Sequence, residues 1–232
     1  VWWEVAVREI LSSPLFGITL SIVAFKVGLS INEKVKHPLA NPLIIALIII
    51  VATLKLFGIP HEYFEAGSSI ILLFLAPVTA VLALTVYRQR AVLLSTFFPI
   101  VLGTLAGSAA AIGSVVLLSR LMGLHEAVTA SLIPKSVTTP VAIALAEQMG
   151  GISALTIAST IISGLAGNLF APLLITLFAV KDPVAQGVAI GCASHALGTS
   201  KAMEIGQVQG AMSSISISLS AIWTVLLVTL FF

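Results

Sequence analysis

Two strings in the second half of the chain hold the residues that could do chemistry: IPKSVTTPVA, from Ile133 to Ala142, and GCASHALGTSKAMEIG, from Gly191 to Gly206. Lys135 lies in the first of these, inside a long apolar region. An ammonium at the centre of a bilayer costs ~2.5 to 3.5 kcal/mol even on the lenient insertion scale, so Lys135 is expected to face protein or water. It reads as a counter-ion for an anionic substrate; the alternative is a lysine that snorkels to the surface. His195, in the second string, could donate to a substrate carboxylate or exchange a coupling proton, its reference pKa being near 6.5, or it could be a structural histidine satisfied by backbone. Lys201 and Glu204 are three apart, so they can pair on one helix face; separated by a proton or substrate they form a switch, and otherwise Glu204 marks an interface at a helix end. The hydroxyls of Ser136, Thr138, Thr139, Ser194, Thr199 and Ser200 could bind substrate oxygens or cap helix ends. Gly198 joins this candidate set as a breaker that exposes backbone. Asn41, before Pro42, caps a helix or adds a further polar contact.

What positions these residues is a pair of interrupted helices. Pro134 and Pro140 cannot both lie inside one continuous membrane helix, since each removes a donor and clashes with the preceding turn. The first unit therefore breaks near its middle. In the second unit Gly191 and Gly198 take the place of the prolines, and His195, aligned with Ser136, sits in the break between them. The units align at an offset of about 59 residues, in the order short helix, Ser/Thr-rich break, short helix, Gly, long uncharged span. Interrupted helices in an internal repeat are the pattern of a midplane site in secondary transporters. Unwound backbone in a bilayer must be buried in protein or line a wet cavity. Thr139-Pro140 and Thr199-Ser200 are expected to begin the second half-helices, whose free amides favour an anion.

The rest of the chain supplies the bilayer context. Of 232 residues 59% are hydrophobic and 9% charged, with a net charge of +2, which excludes a water-soluble fold and gives nucleic acid no basic face. Mean hydropathy is +1.16. The single cysteine, Cys192, excludes an internal disulfide and a cysteine-only metal site, and no metal or cofactor is expected. Four spans precede the broken units: Ile10 to Phe25, with Trp2 and Trp3 as interfacial anchors and Pro14 as kink or start; Leu43 to Leu54 after a polar loop, Ser30 to Ala40; Ala66 to Tyr87; and Ala91 to Ser119. Gly103 and Gly107 on the fourth would let another helix approach. The expected fold is an all-α polytopic membrane protein with six to eight transmembrane helices, one transmembrane domain made of a four-helix part (1–123), a first broken unit (124–180) and a second (181–232). Lys26, Lys34 and Lys36 in the first loop and Arg88 and Arg90 in the third place those loops in the cytoplasm and both termini outside. The broken units are either full spans, giving eight crossings, or re-entrant hairpins, giving six; hairpins put Lys181 on the positive side and make the units inverted, and are preferred.

The same two strings, with Asn41-Pro42-Leu43, resemble the LrgB/CidB family, and the similarity covers essentially the whole chain. The resemblance implies a bacterial inner-membrane protein linked to autolysis, acting beside a smaller holin-like partner of the LrgA/CidA type. It also implies movement of small 2-oxo or 2-hydroxy monocarboxylates such as pyruvate, since the carboxy-terminal half of the plastid glycolate/glycerate transporter looks similar. It brings no agreed set of functional residues.

Two functions from different classes follow. One is a carrier of a small carboxylate, coupled to protons through His195 or Glu204, within a homo-oligomer. The other is a regulator of murein hydrolase activity that works with the holin-like partner. Enzyme activity is not expected: there is no zinc-protease HExxH, no phosphate-binding loop and no nucleophile with an evident base.

Overall fold

The computed structural model describes residues 8–35 and 41–232. Trp2, Trp3, Lys36 and the amino terminus lie outside the described residues. The chain packs as two compact units, Val1–Val81 and Leu82–Phe232, so the fourth expected span belongs with the broken-helix units. Four helices among the described residues are long and apolar enough to cross a membrane. The exterior carries large apolar side chains such as Leu117, Leu118, Leu173 and Leu226, whereas Thr104, Ser108, Thr156, Thr160, Ser213, Ser216 and Thr224 are buried. Small hydroxyl residues inside and apolar bulk outside is the arrangement of a multi-pass membrane protein, where helices gain from close approach and lipid takes the apolar surface.

In the first unit, α1 (Pro14–Val35) begins at the proline and runs through the expected polar loop as far as Val35. Ser30 to Val35 contains no Gly or Pro to stop it. Its Gly17 meets Gly67 of α3 (His61–Leu72), where a methyl group on either would strike the other helix's backbone. The helix α2 (Pro42–Leu56) follows an Asn41 cap whose side-chain oxygen accepts from Leu43 N at 2.9 Å.

The third and fourth expected spans are both interrupted. Residues 66–87 divide between α3 and α4 (Leu75–Arg88), and residues 91–119 between α5 (Arg90–Ser95) and α6 (Phe97–Leu121). Each gap falls three or four residues before a proline, Leu73 before Pro77 and Thr96 before Pro99, where the ring would meet the carbonyl of the preceding turn.

The second unit carries α6, α7 (Glu126–Leu132), α8 (Thr139–Gln148), α9 (Ser153–Leu177), α10 (Pro183–Ile205) and α11 (Gln207–Phe231). The helices α6 and α11 run parallel. At one end Ile100 clusters with Met212; midway Ser108 Oγ donates to Ser220 O at 3.4 Å; at the other end Ile112 and Val115 cluster with Val228.

Both interrupted units fold back on themselves. In α10 the chain turns at His195, which has φ 41° and ψ −139°. The incoming half lies parallel to α11: Gln209 Nε2 donates to Gln186 Oε1 at 2.9 Å, and Gly187 and Gly191 lie against the backbone of Gln209 and Ser213. The return half is antiparallel, with Thr199 and Ser213 hydroxyls 2.7 Å apart and Met203 against Gly210. Ile190 before the turn and Ala202 after it share one cluster with Ala171. In the first interrupted unit α8 returns to the level of α7, since Ile152 N, just past α8, donates to Ser131 Oγ at 2.7 Å. A crossing α8 of ten residues would carry Ile152 about 15 Å away. The α7–α8 hairpin enters from the α6 carboxy-terminal end and the α10 hairpin from the opposite end, so the two are inverted.

Candidate functional site

The hairpin tips reach the middle of the second unit from its two ends, and a cavity of about 900 Å³ lies between them. Lys135 and Ser136 come from the first tip and Cys192, Ala193 and Ser194 from the second. One wall is α6, through Gly103, Gly107, Ala110, Ala111 and Ser114; the facing wall is α9, through Ser163, Gly167 and Phe170. The cavity extends to the end that holds Pro99, Leu174 and Asp182. At the other end Ile112, Val115, Ile133, Leu145 and Val228 fill the space between α6, α11 and the first hairpin.

The first tip is a run of turns rather than a helix, in which Lys135 N donates to Leu132 O at 3.2 Å and Val137 N to Pro134 O at 3.2 Å. That geometry turns the half-buried Lys135 side chain and the buried Ser136 hydroxyl to the cavity. Among the described residues neither has a hydrogen-bond or ion-pair partner. Thr138 stands at the cap of α8 without a side-chain cap bond. Neither Thr138 nor Thr139 lines the cavity.

The second tip is held by α9. His195, buried, places Nε2 3.0 Å from Thr160 O, so that nitrogen carries a proton. Ser163 Oγ donates to Ala193 O at 3.2 Å, and Asn168 Nδ2 donates to Leu197 O at 2.8 Å and to Ser200 Oγ at 3.1 Å. These contacts need a small-residue face on α9. A Cβ at Gly164 would stand 2.6 Å from the His195 ring, and one at Gly167 would overlap Ser194. Ser194 itself is 1% exposed, borders the cavity and has no hydrogen-bond partner among the described residues.

Several sequence expectations are corrected here. The second break falls at His195, inside the expected interval between Gly191 and Gly198, but neither glycine makes the turn: Gly191 packs against Ser213, and Gly198 sits where a side chain would strike Ser194 and Ile190. The return half-helix starts just after His195, so Thr199 and Ser200 lie a turn inside it. Their hydroxyls are spent on His195 O and Leu197 O, at 3.0 and 2.7 Å. His195, Gly198, Thr199 and Ser200 do not line the cavity. Lys201 and Glu204 pair at 2.7 Å, as their spacing allows, but on the surface and away from it. Asn41 belongs to the other compact unit and is the cap described above. Of the candidate residues, then, Lys135, Ser136 and Ser194 share the cavity. Asn168, Ser163 and Thr160 were passed over because the span Ile152 to Val180 reads simply as uncharged; an amide side chain in the middle of it is the signal that could have found the clamp.

A cation and two free hydroxyls at the closed end of an apolar cleft can hold a small monoanion. Among the described residues no group of three or more His, Cys, Asp or Glu side chains could hold a metal ion.

A family model described as the LrgB-like family matches residues 21–232. The chain is 34% identical over 220 residues, covering 94% of itself and 95% of the relative, to a protein named antiholin-like protein LrgB in Bacillus subtilis (strain 168). It is 33% identical over 205 residues, 88% of itself and 89% of the relative, to an uncharacterised protein, YxaC, of the same organism. A protein named antiholin-like protein LrgB in Bacillus mycoides (strain KBAB4) is 31% identical over 220 residues, with 94% and 96% covered. No solved structure matches. With a family model over most of its length and relatives matched nearly end to end, the chain belongs to the LrgB-like family.

Proposed function

We propose that this protein is a secondary carrier of small monocarboxylates, 2-oxo or 2-hydroxy acids such as pyruvate, glycolate or glycerate. The observation that supports it is the meeting of two inverted hairpin tips at one cavity, which Lys135, Ser136 and Ser194 line with side chains that have no partner among the described residues. Inverted hairpins give alternating access by symmetry, and discontinuous helices near the bilayer midplane are how carriers build anion sites. Among the described residues of the second unit, Arg88, Arg90, Lys181 and Lys201 stand toward the cavity mouth and Arg120 toward the filled end. The positive-inside bias then makes the mouth cytoplasmic and the carboxy terminus external. Proton coupling falls to His195 or Glu204, acting through the second hairpin rather than by touching substrate. Liposomes containing this protein alone should take up labelled pyruvate or glycolate, and Lys135→Ala should abolish uptake. Uptake that survives Lys135→Ala would contradict the reading.

The names of the relatives support a second reading more directly than they support the first. Relatives named antiholin-like, matched over more than nine-tenths of both chains, favour a regulator of murein hydrolase activity that works with a small holin-like membrane partner. Under this reading the hairpins form an assembly surface, and self-association into a homo-oligomer is part of it. Suppression of autolysis that survives Lys135→Ala but requires the partner would select this reading over transport.

A further inference from the structure

The cavity has more room, and more apolar wall, than a two- or three-carbon acid uses. Its polar groups are concentrated at the hairpin tips, whereas the walls from there to the mouth are Ile100, Phe170, Leu174, Val184 and Val188. The incoming half of α10, from Pro183 to Ser194, sets the distance from mouth to tip at about 18 Å, at 1.5 Å per residue. Among the described residues Lys135 is the one basic residue in the lining, and the one acidic residue, Asp182, stands at the mouth. A second negative charge on a ligand would therefore lie against aliphatic side chains or face Asp182. The cleft passes Gly103 and Gly107 of α6; a Cβ at Gly103 would make an ordinary 3.4 Å contact with Val188 Cγ1, so a methyl group fits the fold there and narrows the cleft beside Val188.

We propose that the preferred ligand is a monocarboxylate with an aliphatic tail, a 2-oxo or 2-hydroxy acid of about five to six carbons, whose carboxylate meets Lys135 and Ser136, whose 2-oxygen meets Ser194, and whose tail lies along Ile100, Phe170 and Val188. This rests on the anion-carrier reading and narrows it. Burying one methylene is worth about a fourfold gain in affinity. A free buried hydroxyl such as Ser194 also disfavours acids that lack the 2-oxygen, because it is then left unpaired.

Calorimetric titration of the purified protein tests this with pyruvate, 2-oxobutanoate, 3-methyl-2-oxobutanoate, 4-methyl-2-oxopentanoate and, as the dianion, 2-oxoglutarate. Kd should fall by about fourfold per methylene along the monoacids, 2-oxoglutarate should bind more weakly than pyruvate, and Lys135→Ala should bind none. Gly103→Ala should move the optimum to a shorter tail. Lys135-dependent binding that is flat or weakens along the series would overturn the tail site and leave the carrier reading standing. Absence of Lys135-dependent binding for every acid would overturn both.

Discussion

Lys135 is the residue on which the chemistry turns, and its environment makes a prediction that separates binding from folding. A half-buried ammonium that has no partner among the described residues is a cost to the folded protein, and replacing it with an apolar side chain of similar volume removes that cost. Lys135→Met should therefore unfold at the same temperature as wild type or higher while losing affinity for carboxylates by at least about tenfold, measured by thermal unfolding and titration on one preparation. A drop in both would mean that Lys135 serves the fold. His195 makes the opposite case. Its ring lies on Thr160 O and against Gly164, and its backbone forms the turn. Gly164→Ala should destabilise by about 1 to 3 kcal/mol, the usual cost of forcing a group into a packed site. His195→Ala should recover part of that loss in the double variant, a coupling read in denaturant unfolding. Additive effects would place the ring elsewhere.

Among the elements, the hairpins were half legible. Pro134 and Pro140 announce the first break because proline forbids the helix in any setting. The second contains no proline, and its interval was legible while the residue that turns the chain was not: Gly187, Gly191 and Gly198 are small so that neighbouring chain can approach, while the turn sits on His195, which tertiary contacts to α9 hold at positive φ. Those contacts join residues about 30 apart, and sequence periodicity does not carry them. Pro77 and Pro99 carried the same signal as Pro134, but uncharged runs conceal it when charge alone is used to mark span ends. Single cysteines at 181 and 207, each in a Cys192→Ala background and probed with an impermeant thiol reagent, should label from the same side of the membrane, with a cysteine at 147 labelling from the other. Labelling of 181 and 207 from opposite sides would make α10 a crossing helix.

At the scale of the whole molecule, composition alone established a membrane protein, and the repeat pointed to a shared site, because hydrophobic length and broken helices are local properties that the bilayer makes decisive. Which hydroxyls face the cavity was not local. Ser194 and Thr199 differ by five positions in one motif, yet one opens on the cleft and the other is tied to α11. The central claim is that groups from two hairpins entering from opposite ends hold one anion. Ala193, on the second tip, lines the cavity. Ala193→Cys in a Cys192→Ala background should react with a small thiol reagent, and pyruvate or its branched analogues should slow that reaction; adding Lys135→Ala, on the first tip, should abolish the protection. Protection that persists without Lys135, or a rate that no carboxylate changes, would contradict it.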